Sequence, residues 1–154
     1  MSAEEARKLL AKNKQAFFNY SIDESIEAGI ALQGTEVKSV KAGKFSFADS
    51  YARIQNGELW LIGLHISPYI HGNIHNHDPL RPRRLLVHKQ EIKRLSRKVD
   101  EKGFTLVPLR VYLKKGMVKV EIGVCKGKKQ HDKRESIKQR DLKREAEREI
   151  RGRF

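Results

Sequence analysis

The stretch GKKQHDKR, Gly127 to Arg134, sets four cations around a histidine and an aspartate. It begins one residue after an apolar alternating run, Met117 to Cys125. A turn needs fewer charges, and a solvated tail needs no histidine. Lys128, Lys129, Lys133 and Arg134 suit phosphate contacts, and Gly127 lets the chain leave the strand sharply. His131 is a flat side chain that can stack on an unpaired base, whereas cations alone give sliding, nonspecific binding. An ordinary basic linker is the plain alternative.

A second group lies in DPLRPRRLLVHKQEIKR, where Arg81, Arg83 and Arg84 stand between prolines and an apolar run. Proline stiffens the loop, and a held guanidinium makes bidentate phosphate contacts. Lys89, Lys93, Arg94, Arg97 and Lys98 continue the charge onto a following helix. His65, His71, His75, His77 and Asp78 crowd one short segment, and such side chains could ligate zinc or cleave RNA by acid–base chemistry. The segment is rich in Pro and Gly, and no matched partner group stands elsewhere, so a polar loop near RNA explains it more simply. No metal or cofactor is expected. Glu27 and Glu36 sit beside apolar runs. A salt bridge or cap is the usual meaning of such residues, although a carboxylate can also accept from base amino groups or 2′-hydroxyls of a folded RNA.

The whole chain supports a polyanionic partner. Its 154 residues suit one domain, its net charge is +14, and 38% of its residues are hydrophobic. A single cysteine, Cys125, rules out an internal disulfide and fits a reducing cytosol. No apolar run approaches the roughly 18–20 residues of a membrane span, and the charged start lacks a secretory apolar stretch. A cytoplasmic protein is expected.

Periodicity supplies the elements. Ser2 to Lys12 has a capping-box start and reads as a helix, with a frayed terminus as the alternative. Phe18, Tyr20 and Ile22 alternate as a strand, Ile26 to Gly34 is a second apolar run, and the next ten residues predict a short helix that stops at Gly43. Asn56-Gly57 joins Tyr51–Gln55 to Glu58–Ile66 as a hairpin. Residues 67–84 read as a long loop, and His88 to Gly103 as a helix. Two last strands flank Lys115-Gly116. The sum is a mainly β, α+β fold: a six-stranded antiparallel barrel of the oligonucleotide-binding (OB) type with two or three helices, over residues 1–126. An open α+β sheet is the alternative. The basic tail, 127–154, has too few apolar residues to order alone, yet Leu142, Ala146, Ile150 and Phe154 form a stripe beside Arg140, Arg144, Arg148 and Arg151. It is expected to be disordered when free and helical on a partner.

Four stretches carry a resemblance: EAGIALQGTEVKSVKAGK (27–44), DSYARI (49–54), NHDPLRPRRLLVHKQEI (76–92) and KVEIGVCKGKKQHDKRESIK (119–138). The chain resembles the small protein B (SmpB) family, bacterial proteins that bind transfer-messenger RNA (tmRNA) in trans-translation. The resemblance implies an OB-type barrel that clasps the tRNA-like domain of tmRNA. The complex then enters stalled ribosomes with elongation factor Tu and alanyl-tRNA synthetase, to rescue them and tag the nascent peptide. The protein takes the place of the missing codon–anticodon pair, acts as one copy per RNA, and does no catalysis. Residue by residue, Glu27, Leu86 and Lys119 match RNA-contacting positions. Asn13, at the head of the matched region, and the loop residues Arg81, Arg83 and Arg84 join them. Gly127, Lys128, Lys129, His131, Asp132, Lys133 and Arg134 become contacts to the small-subunit rRNA of the decoding centre. Leu142 and Ile150 fall where the family places apolar residues in the mRNA channel.

Overall fold

The computed structural model describes residues 7–70, 76–128, 134, 137, 138 and 140–144. Its strands are β1 (Arg7–Lys12), β2 (Tyr20–Ile30), β3 (Phe45–Ser46), β4 (Tyr51–Gln55), β5 (Glu58–Ile62), β6 (His65–Ile66), β7 (Arg83–Leu86), β8 (Thr105–Lys114) and β9 (Met117–Gly127). Its helices are α1 (Lys14–Asn19), α2 (Gly34–Lys41) and α3 (Lys89–Lys102). The antiparallel pairings run β8-β4-β5-β7-β2-β9 and return to β8, so six strands close a ring, as the alternating patterns predict. β4 meets β8 only at Ala52 and Leu106, the narrowest join. β3 and β6 form a separate small ladder.

Two hairpins follow from turn chemistry. Asn56-Gly57 has φ of 53° and 73°, and Lys115-Gly116 has 53° and 75°. Positive φ at both central positions gives the primed turn that matches strand twist. Ala28, Leu59, Leu61, Leu85, Leu106, Val111, Val120 and Ile122 fill the interior, joined by Val40 of α2 and Leu95 of α3.

The structure corrects four local expectations. Residues 7–12 form a strand, not a helix: the Arg110–Lys114 half of β8 has one edge left over by β9, and β1 adds to it. Leu10 reaches the core from that position. Ser2, which carried the capping signal, lies outside the described residues. Phe17 and Phe18 sit in α1, which starts because the Asn13 side chain accepts from the Ala16 N–H. The runs either side of Asp23 are one strand, β2, with a register shift between Ile22 and Glu24. The expected strand 58–66 in turn breaks at Gly63, where φ is 81°.

β8 holds a second register shift, between Pro108 and Arg110. Proline has no N–H for the ladder and survives mid-strand at such a bulge. Before it, Val107 and Leu109 face outward and pack beneath Ala16 of α1 with Cys125. After it, Arg110, Tyr112 and Lys114 take the outward positions. Burial pushes the Cys125 thiol up to about 11. Asn13 secures the bulge. Its backbone N–H donates to Leu109 O at 2.8 Å, and its Nδ2 to Pro108 O at 2.9 Å.

The central polar feature is buried. Glu36 and Arg83 are both fully inaccessible. Arg83 Nε donates to Glu36 Oε2 at 2.6 Å, and its terminal nitrogens donate to the carbonyls of Leu64, Asp78 and Pro79. Arg81 donates to Glu36 Oε1 at 2.5 Å, and the same carboxylate oxygen accepts from the Gln33 N–H, closing the capping box of α2. Burial alone would raise the Glu36 carboxyl. Arg81, the Gln33 N–H and Arg83 together hold it below its ordinary 4.5. His77 adds a neighbouring tie. Its Nε2 faces Ile66 O at 2.9 Å and so carries the proton, which leaves Nδ1 to accept from the Thr35 hydroxyl at 2.8 Å.

Two outcomes follow. Glu36→Gln leaves Arg83 charged in the core and should cost about 3–5 kcal/mol, read as a lower urea midpoint with unchanged slope. Because the folded carboxyl titrates below its unfolded value, its contribution is present above about 4.5 and is lost as pH falls through the lower folded value. The wild type should therefore lose stability on acidification through that window, while Glu36→Gln loses less. Asn13→Ala should cost about 1–2 kcal/mol in the same assay.

Candidate nucleic-acid interface

Outward positions on four neighbouring strands line up. Tyr112 of β8 is the register partner of Lys119 on β9. Lys119 pairs with Gly29 of β2, and Gly29 with Leu86 of β7. Glu27 lies two residues before Gly29, on the same face. Sequence positions 27, 86 and 119, far apart in the chain, thus share one surface. They line an open groove of about 730 Å³ together with Arg84, His88 and Glu58.

Each member has a physical reason for its posture. Leu86 is 46% exposed, although it is a large apolar side chain on a regular strand. A Cβ built on Gly29 would come within 3.3 Å of Leu86 Cβ, so the glycine is what lets this side chain lie low across β2. Tyr112 donates its hydroxyl to Glu27 Oε1 at 2.5 Å, and Lys114 Nζ stands 3.3 Å from Oε2. Arg7 is 3.8 Å from the same carboxylate and lies over the Tyr112 ring. The Tyr112 hydrogen bond holds the Glu27 carboxyl below its usual range against the opposing effect of burial, with Lys114 and Arg7 adding to it. Burial and Glu27 push the Tyr112 phenol upward. Glu27 is therefore an ionised acceptor whose charge is offset from three sides.

Other sequence-assigned residues fall elsewhere. Arg84 points outward, 3.6 Å from Glu58, and both are about half exposed. Arg83, beside it, is sealed in the core and cannot reach RNA, which corrects its assignment as a contact. Arg81 is committed mainly to Glu36, with 30% of its side chain exposed. Asn13 is buried at the β8 bulge, where its side chain bonds Pro108 and Ala16, and it does not line the groove of Glu27, Leu86 and Lys119. Tyr112, Lys114 and Arg7 were not singled out from the sequence. Tyr112 sits among apolar strand residues, and only the cross-strand register shows what it holds.

The histidine-rich segment gives no cluster for a metal among the described residues. His71 and His75 lie outside them, and both ring nitrogens of His77 are occupied within the fold. Gly127 is the last residue of β9, and the Lys128 N–H donates to Asn19 O at 2.9 Å, so the tail leaves beside α1. Lys129, His131, Asp132, Lys133 and Ile150 lie outside the described residues. Arg134 and Leu142 have helical backbone and are exposed, and the Arg140 guanidinium lies 5.9 Å from the Phe18 ring. No helix of the described residues is long and apolar enough to cross a membrane.

A family model described as SmpB protein matches residues 10–152. The chain belongs to the SmpB family. The SsrA-binding protein of Treponema denticola is 59% identical over 143 residues, 93% of each chain. That of Borreliella burgdorferi is 56% identical over 142 residues, 92% of this chain and 95% of the relative. That of Carboxydothermus hydrogenoformans is 55% identical over 147 residues, 96% and 99% respectively. Among solved structures, one described as "tmRNA-SmpB: a journey to the center of the bacterial ribosome" matches with a TM-score of 0.66 and 48% identity, over 82% of this chain and 93% of that one. The SmpB match spans both the barrel and most of the tail.

Tyr112→Phe removes the hydroxyl that fixes Glu27. It should leave the unfolding free energy within about 1 kcal/mol of wild type and raise the Glu27 pKa toward its free value, measured by carboxyl NMR titration.

Proposed function

We propose that this protein is the tmRNA-binding adaptor of trans-translation. It binds the tRNA-like domain of tmRNA through the outer face of β8, β9, β2 and β7, and brings it to stalled ribosomes for rescue and peptide tagging. The observation that carries this reading is the single surface formed by Glu27, Leu86 and Lys119, in a chain whose relatives are named for binding SsrA along nearly their whole length. Lys119 offers a point charge to phosphate. Leu86 offers an apolar seat for a ribose or an unstacked base. Glu27 accepts from base amino groups or 2′-hydroxyls, contacts that a uniform backbone would not need.

The tail acts on a second RNA. Lys128, Lys129, Lys133 and Arg134 contact small-subunit rRNA in the vacant decoding centre, His131 stacks on a base there, and Leu142 and Ile150 follow the empty mRNA channel as a helix. Elongation factor Tu and alanyl-tRNA synthetase join through tmRNA rather than through this chain, which acts as a monomer in the cytoplasm. It supplies binding and positioning and performs no chemical step.

The test separates the two ends. Lys119→Gln and Leu86→Ala should each weaken binding to the tRNA-like domain about tenfold, and Lys119→Gln should lower the salt slope of log K by about one. Lys128→Ala with Lys129→Ala should leave that affinity within about threefold but abolish tagging in a reconstituted stalled-ribosome assay. Equal loss of both activities in the Lys128→Ala, Lys129→Ala variant would contradict a two-ended adaptor.

A further inference from the structure

A second row crosses the outer face of β4, β5 and β7. Arg53 is the register partner of Trp60, and Trp60 is the partner of Arg84. An aromatic side chain thus stands between two guanidiniums on adjacent strands, with all three on the outward side. The inward neighbours Leu59, Leu61 and Leu85 fill the core. Arg53 turns along its own strand and donates to Gln55 at 3.0 Å, and Arg84 turns to Glu58. Neither arginine is drawn over the indole, which lines an open groove of about 300 Å³ with Arg53, Gln55, Glu58, Ile62 and Pro82. Pro82 of the preceding loop and Asn56 of the hairpin turn border the groove, and Trp60 is half-buried between its neighbours.

We propose that the Arg53–Trp60–Arg84 row is a stacking site for an unpaired RNA nucleotide, its base on the indole and its flanking phosphates on the two arginines. Charge complementarity favours RNA: the chain carries +14, Arg53 lines the groove beside the indole, and Arg84 is the register partner of Trp60 on the next strand. Continuity favours it too. Glu58 lines both grooves, and Arg84, the register partner of Trp60, lines that of Glu27, Leu86 and Lys119, so an RNA strand leaving that groove across β7 arrives at Trp60. The part of the half-buried Trp60 side chain left open faces the groove it shares with Arg53. The site extends the proposed tmRNA interface and rests on that reading for the source of its nucleotide, but its chemistry can be tested separately.

Trp60 is the only tryptophan, so its emission reports this site alone. The full-length protein is titrated with an oligoadenylate single strand, with a duplex of equal length, with the tRNA-like domain, and with polyglutamate. Binding of labelled RNA is followed in parallel by anisotropy. The single strand and the tRNA-like domain should quench Trp60 saturably, and the duplex much less. Arg53→Gln should shift the quenching midpoint about fivefold. Trp60→Leu should weaken single-strand binding about tenfold, while Trp60→Phe stays within about threefold of wild type. Bound RNA without quenching, no RNA binding, equal quenching by the duplex, quenching by polyglutamate, or wild-type affinity in Trp60→Leu would each overturn the proposal. Quenching by the single strand without binding of the tRNA-like domain would uphold the stacking site and remove the tmRNA reading instead.

Discussion

A carboxylate and a guanidinium with no access to water, Glu36 and Arg83, hold the ends of the fold in register. Desolvating two such groups costs several kcal/mol each, and only complete hydrogen bonding offsets it. The completion comes from widely separated pieces: the capping N–H of α2, the carbonyl of Leu64, and the carbonyls of Asp78 and Pro79. One side chain of β7 thereby ties down a helix, the segment after β5 and the loop before β7. With Arg83 turned inward, Arg84 and Leu86 must turn outward. The exposure of the apolar Leu86 on that face is thus a consequence of a charge pair in the core.

The parts of the fold that alternate cleanly were legible in the sequence. The β4–β5 hairpin, the last two strands, α2 and α3 all follow from period and turn residues. RRLL was not legible, because two arginines followed by two leucines carry no alternation, and nothing local says which arginine is inside. The arginines read as equals, and the ion pair with Glu36 separates them. The first strand failed for a related reason. Local spacing in Ser2 to Lys12 favours a helix, but an unpaired edge of β8 outweighs propensity. The candidate surface was legible only as three separated residues supplied by a resemblance. Their common face, and the offsetting of Glu27 by Tyr112, Lys114 and Arg7, depend on register across strands distant in sequence.

Two kinds of positive charge serve different ends in this molecule. Arg81 and Arg83 stabilise structure, and Lys98 bridges Asp23 and Glu24 to hold α3 against β2. Arg84, Lys119 and Arg53 stand on open strand faces with weak or partial partners. Composition alone counts them together, which is why a net charge predicts the class of partner but not the contact surface.

The bulge between Pro108 and Arg110 has a consequence for how this chain can change over generations. On one side of it the outer positions of β8 lie under α1; on the other they carry Arg110, Tyr112 and Lys114. Losing or gaining a single residue between 110 and 114 would exchange inside for outside along that half. Tyr112 would be swept into the core and Val111 into solvent. The half-strand can therefore change residue type within its inside–outside pattern but change length only by compensated pairs, so it should stay constant in length among descendants whose loops grow and shrink.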